Sequence, residues 1–119
     1  TLVSGTRGLG CPAPPVRMVT MITHTVTFRL AHDRGSAAER DFLDTARREL
    51  SAIDGVRDFT ISDQVGAKSD LTLQFSMVFA DQAAYDAYNT HPAHVAFVSE
   101  RWVPEVAEFQ EFDYVRRDG

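Results

Sequence analysis

Three side chains that can exchange a proton or donate a hydrogen bond fall within seven residues of one another. Tyr88, His91 and His94 lie in one short segment, and Pro92 suits the first turn of a helix that carries His94. Groups at a helix N-terminus face its positive pole and free amide donors, which disfavour a charged imidazolium. A neutral imidazole accepts protons, so this segment is a candidate for proton-transfer chemistry, with His94 and Tyr88 as its candidate catalytic residues.

A further histidine, His24, interrupts the otherwise apolar face of a predicted strand. A polar ring in that position costs stability unless it is hydrogen-bonded or borders a cavity. We therefore place His24 with His94 and Tyr88 among the candidate catalytic residues. The candidates for substrate contact are apolar or aromatic side chains and one more histidine: Ile22, Phe28, Phe75, His91, Phe97 and Trp102.

Each of the polar rings also has a structural interpretation. His91 stands directly before Pro92, where it can cap the following helix, and this interpretation is favoured over catalysis. His24 can bond a neighbouring carbonyl, and Tyr88 can pack as an ordinary core ring. For His94 the functional and structural interpretations carry equal weight.

Motifs for metal or cofactor chemistry are weak or missing. His91 and His94 are three residues apart, but Pro92 separates them and the sequence offers no third ligand nearby. The chain contains no phosphate-binding glycine loop, no G-x-S-x-G turn and no candidate cysteine nucleophile. We therefore expect neither a metal nor a cofactor.

The elements that must position these side chains follow from periodicity and capping signals. Ser36 and Glu39 have the capping-box spacing for a helix that runs to about Ile53, where Asp54-Gly55 can end it. Alternation with a period of two predicts strands over 21–30, 56–65, 70–80 and 106–115, with a turn at 66–70.

Two shorter helices are predicted between the third and fourth strands. Asp81 is placed to cap a helix through Tyr88. The next helix begins at Pro92, and Pro104 is expected to end or kink it. In the last strand, Phe112 and Tyr114 fall on one face, and Glu111 and Asp113 on the other.

The element order predicts an α+β fold, a ferredoxin-like βαββαβ unit whose four-stranded antiparallel sheet carries its helices on one face. The other sheet face is polar but largely uncharged. Such a face must meet water or another subunit, and we expect a second copy to cover it in a homodimer.

Composition excludes several classes of protein. The 119 residues are 44% hydrophobic and 24% charged, as in ordinary soluble domains, and no apolar run nears the roughly 20 residues of a membrane span. The net charge of -5 and the scattered arginines argue against nucleic acid as a partner. The single cysteine, Cys11, favours a reducing cytoplasm. Residues 1–20, rich in Gly and Pro, predict an irregular extension before a domain over 21–116.

These motifs together resemble the stress-responsive dimeric α/β barrel (Dabb) domain family over about residues 21–115. The resemblance is carried by Met-Ile-Thr-His in the first strand, by Tyr88 followed by the segment His91–Val98, and by Phe112-Asp113-Tyr114. The resemblance implies a ferredoxin-like subunit that pairs with a second copy of itself into a dimeric α/β barrel. In a polyketide-cyclase branch of the family, a histidine and a tyrosine perform an intramolecular aldol closure; His94 matches that base, Tyr88 its hydroxyl partner and His24 a further pocket histidine.

Two functions from different classes follow. The first is a cofactor-independent enzyme or binder of a small hydrophobic carbonyl compound, in which His94 removes an α-proton and Tyr88 hydrogen-bonds the enolate oxygen. The alternative is a non-catalytic, stress-associated dimeric protein in which the same rings only pack. A cofactor-free monooxygenase is supported by the fold alone. A cavity where His94 and Tyr88 converge favours the first function, and a filled interior favours the second.

Overall fold

The computed structural model describes residues 20–117, so the extension expected over 1–20 lies, apart from Thr20, outside the described part. Four strands form one antiparallel sheet in the order β2-β3-β1-β4, and three helices pack on one face of it. The ferredoxin-like prediction is confirmed. The strands are β1 (Ile22–Leu30), β2 (Arg57–Asp63), β3 (Leu73–Phe79) and β4 (Val106–Val115), and the helices are α1 (Ala37–Leu50), α2 (Gln82–Thr90) and α3 (Pro92–Phe97).

Helix α1 begins at the predicted cap. The Ser36 hydroxyl accepts the Glu39 N–H at 3.1 Å, and the Glu39 carboxylate reaches back to accept the Gly35 N–H at 2.8 Å. The helix ends at Leu50 rather than at Ile53, because the chain tightens there into a turn that Gly55 completes at φ 93°. Ile53 is still buried beneath that turn.

The strand pattern predicts the buried face correctly. Every second residue of β3 from Leu73 to Phe79 is buried, and β1 presents Val26 and Phe28 to the same core. The strands β2 and β3 are shorter than predicted, and residues 64–72 form a loop. In this loop a side chain takes the place of a neighbouring strand as a hydrogen-bond partner, because the Gln64 amide donates to the Leu71 carbonyl at 2.6 Å.

The two short helices form as predicted, with later ends. The Asp81 carboxylate accepts the Ala84 N–H at 2.9 Å and starts α2, which continues to Thr90. Helix α3 widens into a π-helical turn over Val98–Trp102 and closes with a last turn over Val103–Glu105. Pro104 lacks an N–H and cannot bond the carbonyl four residues earlier, which explains the irregularity at this point.

The sheet face opposite the helices is polar and mostly uncharged. Thr23 and Thr25 of β1 lie beside Tyr114 and Phe112 of β4 in the strand register. The rings of Phe112 and Tyr114 are 49% and 54% exposed. Within the described chain, this face therefore carries two large aromatic rings that no helix covers.

Candidate functional site

A cavity of about 400 Å³ lies between the inner face of the sheet and the segment that runs from α2 to the π-helical turn. All three candidate catalytic residues, His24, Tyr88 and His94, border it. Three of the residues predicted to contact substrate, Phe75, Phe97 and Trp102, do so as well. The remaining wall is formed by Val26, Leu50, Met77, Asn89, Val98, Val103, Phe109 and Glu111.

The other three predicted contact residues do not border the cavity. Phe28 is fully buried behind its wall, with ring centroids 4.7 Å from Phe75 and 4.9 Å from Trp102. Ile22 lies at the start of β1, buried opposite Phe79. His91 caps α3, because its Nδ1 accepts the Ala93 N–H at 3.0 Å. The structural interpretation of His91 therefore describes its observed role.

His94 is held with one nitrogen turned to the backbone. Its Nδ1 lies 3.2 Å from the Asn89 carbonyl oxygen, which can only accept, so Nδ1 carries the proton and donates. In this neutral tautomer Nε2 keeps its lone pair. Burial lowers the pKa of His94 below its ordinary value of 6.5. The predicted neutral imidazole is thus present, although burial rather than the helix dipole is the main cause.

Tyr88 is nearly fully buried, and its ring packs at a tilt against the ring of His94, with the two centroids 4.3 Å apart. Burial is the main cause that raises the pKa of the Tyr88 phenol, and the negative charge of Glu111 adds to it. The hydroxyl is therefore protonated at neutral pH and able to donate. Among residues 20–117 it makes no hydrogen bond to another group, which leaves its donor free for a ligand.

His24 is fixed by a hydrogen-bond network on the sheet. Its Nδ1 lies 2.6 Å from the Asp113 carboxylate, and the Tyr85 hydroxyl donates to the other oxygen of that carboxylate at 2.8 Å. A carboxylate only accepts, so Nδ1 of His24 donates and Nε2 is the free nitrogen. Glu111 stands 3.9 Å from that Nε2. Burial, and then the neighbouring Asp113, raise the pKa of Tyr85.

Sequence reasoning missed the acidic residues that complete this site. The pattern of β4 does put Glu111 and Asp113 on one face, but it does not tell which strand they face. The antiparallel register that sets Asp113 opposite His24 and Glu111 opposite Val26 brings them into the site. Tyr85 of α2 also joins the network, because its hydroxyl lies 3.1 Å from His24 Nδ1 on β1 and 2.8 Å from the Asp113 carboxylate on β4.

The described residues show no metal-binding arrangement. Between residues 20 and 117, no three His, Cys, Asp or Glu side chains are grouped to hold a metal ion. The two nitrogens that suggested a metal pair, in His91 and His94, each bond to a nearby backbone group instead. In the same part of the chain, no helix has the length and apolar character needed to span a bilayer.

Comparisons with known proteins agree with this architecture. The family model of the stress-responsive A/B barrel domain matches residues 22–116. A Dabb family protein with a ferredoxin-like fold from Mesorhizobium loti is 54% identical, with a TM-score of 0.82, over 82% of this chain and 98% of that one. No curated protein is significantly similar to the chain in sequence.

More distant solved structures share the fold alone. A dimeric ferredoxin-like protein of unknown function from Thermobifida fusca is 20% identical, with a TM-score of 0.65, over 82% of this chain and 92% of that one. The hydroxynitrile lyase from Passiflora edulis is 15% identical, with a TM-score of 0.69, over 85% of this chain and 97% of that one. These likenesses show that one scaffold occurs with and without an assigned activity.

Proposed function

The chain belongs to the stress-responsive α/β barrel domain family, and we propose that it binds a small hydrophobic carbonyl compound and moves a proton from its α-carbon. One observation carries this proposal. His94 and Tyr88 border the same largely apolar cavity of about 400 Å³. Nδ1 of His94 donates to the Asn89 carbonyl, so Nε2 of the neutral ring is available as an acceptor. A cavity of this size, with a few convergent polar groups, is typical of small-molecule sites.

The chemistry requires only groups of the chain itself. Nε2 of His94 takes the α-proton, and the electron pair of the broken C–H bond moves onto the carbonyl oxygen to give an enolate. The Tyr88 hydroxyl donates a hydrogen bond to that oxygen as its charge grows. The imidazolium then returns the proton, or the enolate carbon attacks a second electrophile. Phe75, Phe97 and Trp102 form the apolar wall.

The distant hydroxynitrile lyase shows that an enzyme has been built on this fold, and its low identity carries no residue assignment to this chain. Support for acid–base chemistry here comes from the histidine geometry. The packing alternative is weakened by the cavity itself, because rings that only fill a core do not leave space of this size between them.

We further propose that the protein is a homodimer. The sheet face with Phe112 and Tyr114 is uncovered in the single chain, and two exposed rings on a polar, uncharged surface suit a two-fold contact. The Thermobifida fusca relative by fold is described as dimeric, which supports the same arrangement.

Two variants test the ligand site. His94→Gln removes the base, and Tyr88→Phe removes the hydroxyl while keeping the ring. The probe is 4-hydroxyphenylacetone, and its binding is measured by calorimetry alongside urea unfolding of each variant. We expect both variants to stay folded and to bind the ketone more weakly, with Tyr88→Phe losing about 1 kcal/mol, the typical net worth of one hydrogen bond.

A control variant separates binding from packing. His91→Asn keeps a capping side chain and lies outside the cavity, so its ketone binding should equal that of the wild type. If His94→Gln and Tyr88→Phe lose stability but bind the ketone as the wild type does, the rings only pack and the proposed function is wrong.

A further inference from the structure

We propose that the cavity selects neutral carbonyl compounds that also carry a hydroxyl group, and that it rejects carboxylates. This inference rests on the proposed function and names its substrate class. The observation behind it is the contrast between two walls. The helix wall consists of Tyr88, Asn89 and His94, and the sheet wall consists of His24 and Glu111.

The sheet wall offers acceptors to a ligand. Nδ1 of His24 is held by Asp113, which leaves Nε2 as the nitrogen on the Glu111 side of the ring. The Glu111 carboxylate, 3.9 Å from that nitrogen, has only acceptor oxygens. One of these oxygens can accept a hydrogen bond from a ligand hydroxyl.

The helix wall offers the complementary donor. The Tyr88 hydroxyl is protonated and unbonded within the described chain, so it fits a carbonyl oxygen. The centroid of the His24 ring lies 6.2 Å from that of Tyr88, whereas His94 lies only 4.3 Å from Tyr88. A ligand that bonds both Tyr88 and Glu111 therefore carries a carbonyl oxygen and a hydroxyl group.

The charges around the cavity are the reason to expect that it rejects carboxylates. Among residues 20–117, no Lys or Arg side chain lines the cavity, and Glu111 is the one carboxylate that does. His94 is neutral because it is buried. His24 lies between two carboxylates, with Asp113 2.6 Å from its Nδ1 and Glu111 3.9 Å from its Nε2. A ligand carboxylate thus meets a negative charge and finds no free cation.

The inference is tested with three probes of nearly equal shape. 4-Hydroxyphenylacetone has the ketone and the hydroxyl, and 4-methoxyphenylacetone lacks the hydroxyl donor. 4-Hydroxyphenylacetate replaces the ketone by a carboxylate. Calorimetry on the wild-type protein at pH 7 should show 4-hydroxyphenylacetate binding at least about tenfold more weakly than 4-hydroxyphenylacetone. 4-Methoxyphenylacetone should bind about three- to tenfold more weakly than 4-hydroxyphenylacetone.

Matched variants assign the selectivity to Glu111. Glu111→Gln keeps the shape and removes the charge, so it should strengthen carboxylate binding by about tenfold and alter ketone binding by less than about threefold. Glu108→Gln removes the same charge from the opposite face of β4, where Glu108 pairs with Arg29 at 3.1 Å, and should leave the selectivity unchanged. Added salt should narrow the difference between ketone and carboxylate in the wild type.

The outcomes separate this inference from the proposed function. Equal affinity of the wild type for the hydroxyketone and the carboxylate overturns the charge selection and leaves the proposed function standing. Equal effects of Glu111→Gln and Glu108→Gln overturn the role of Glu111. Failure of the wild type to bind the hydroxyketone overturns both proposals. If Glu111→Gln does not fold, the wild-type affinity ratio and its salt dependence still decide.

Discussion

The imidazole of His94 combines two features that a general base needs. The Asn89 carbonyl fixes the tautomer and orients the free Nε2, and burial keeps the ring uncharged near neutral pH. His24 has the same orientation of nitrogens but a carboxylate, Asp113, behind it. The two imidazoles of the cavity therefore have different partners, a backbone carbonyl behind His94 and a carboxylate behind His24. Titratable groups in different environments can take different roles in a reaction.

The lowered pKa of His94 predicts a pH dependence of stability. The folded state releases the proton at a lower pH than the unfolded state, whose pKa lies near 6.5, so between these values the unfolded state binds more protons. The contribution of His94 to the free energy of unfolding is therefore present above the unfolded pKa of about 6.5 and is lost as the pH falls below that value through the lower pKa of the folded state.

Urea unfolding of the wild type and of His94→Gln at pH 7.5 and at pH 5.5 measures this effect. The wild type should lose stability relative to the variant at the lower pH, since Gln does not titrate. A stability difference that is the same at both pH values would contradict a depressed pKa at His94.

Residue types and spacing were sufficient to predict six side chains of the cavity: His24, Tyr88, His94, Phe75, Phe97 and Trp102. Tyr88 and His94 are close in sequence, and a histidine on an apolar strand face is conspicuous. Glu111 and Asp113 were not predictable as site residues. Their positions depend on the register between β1 and β4, strands separated by most of the chain, and a shift of one residue would turn both carboxylates to the other face.

At the scale of elements, the irregular end of α3 is held by one arginine. Arg101 Nε bonds the Glu105 carboxylate at 2.5 Å, and its terminal nitrogens reach Asp41 at 2.9 Å and Thr45 at 3.1 Å on α1. His32 bonds the other Glu105 oxygen at 2.7 Å. The neighbouring residues 102 and 103 border the cavity, so this network positions part of its wall.

Arg101→Met is expected to lower the free energy of unfolding by about 1–3 kcal/mol, because it removes charge-assisted bonds and leaves Glu105 without its main partner. The same variant should weaken binding of 4-hydroxyphenylacetone. Arg48→Met is the matched control, since Arg48 is exposed and its pair with Glu49 is a surface contact at 3.8 Å. Equal stability losses in the two variants would contradict the positioning role of Arg101.

Local signals predicted the start of each helix better than its end. Ser36, Asp81 and His91 cap as their side-chain chemistry indicates, because an N-terminal cap depends on a few adjacent residues. The π-helical turn at Val98–Trp102 has no comparable signal. It depends on Pro104 and on the Arg101 contacts with α1, which only the folded chain brings together.

At the scale of the whole molecule, the two faces of the sheet have different roles. The inner face, with the helices, encloses the cavity. The outer face presents Phe112 and Tyr114 beside uncharged threonines, and we expect a second copy of the chain to cover it. The alternation of β4 allowed this division to be predicted, because side chains on a strand point to opposite faces in turn.

Sedimentation equilibrium should give twice the chain mass of 13.3 kDa at micromolar concentration. Phe112→Glu places a charge on the outer face and should shift the protein toward the monomer. Val65→Glu makes the same change at a loop residue that is 89% exposed and should leave the mass unchanged. A wild-type protein that is monomeric at high micromolar concentration would contradict the homodimer.

The central claim, proton transfer by His94, is tested most directly by hydrogen–deuterium exchange at the α-carbon of 4-hydroxyphenylacetone in D₂O, followed by proton NMR. Wild-type protein should exchange these protons about 10²–10⁴ times faster than folded His94→Gln, with Tyr88→Phe in between, because general-base help of this kind has that magnitude. An exchange rate in wild-type protein equal to that of His94→Gln would contradict the account.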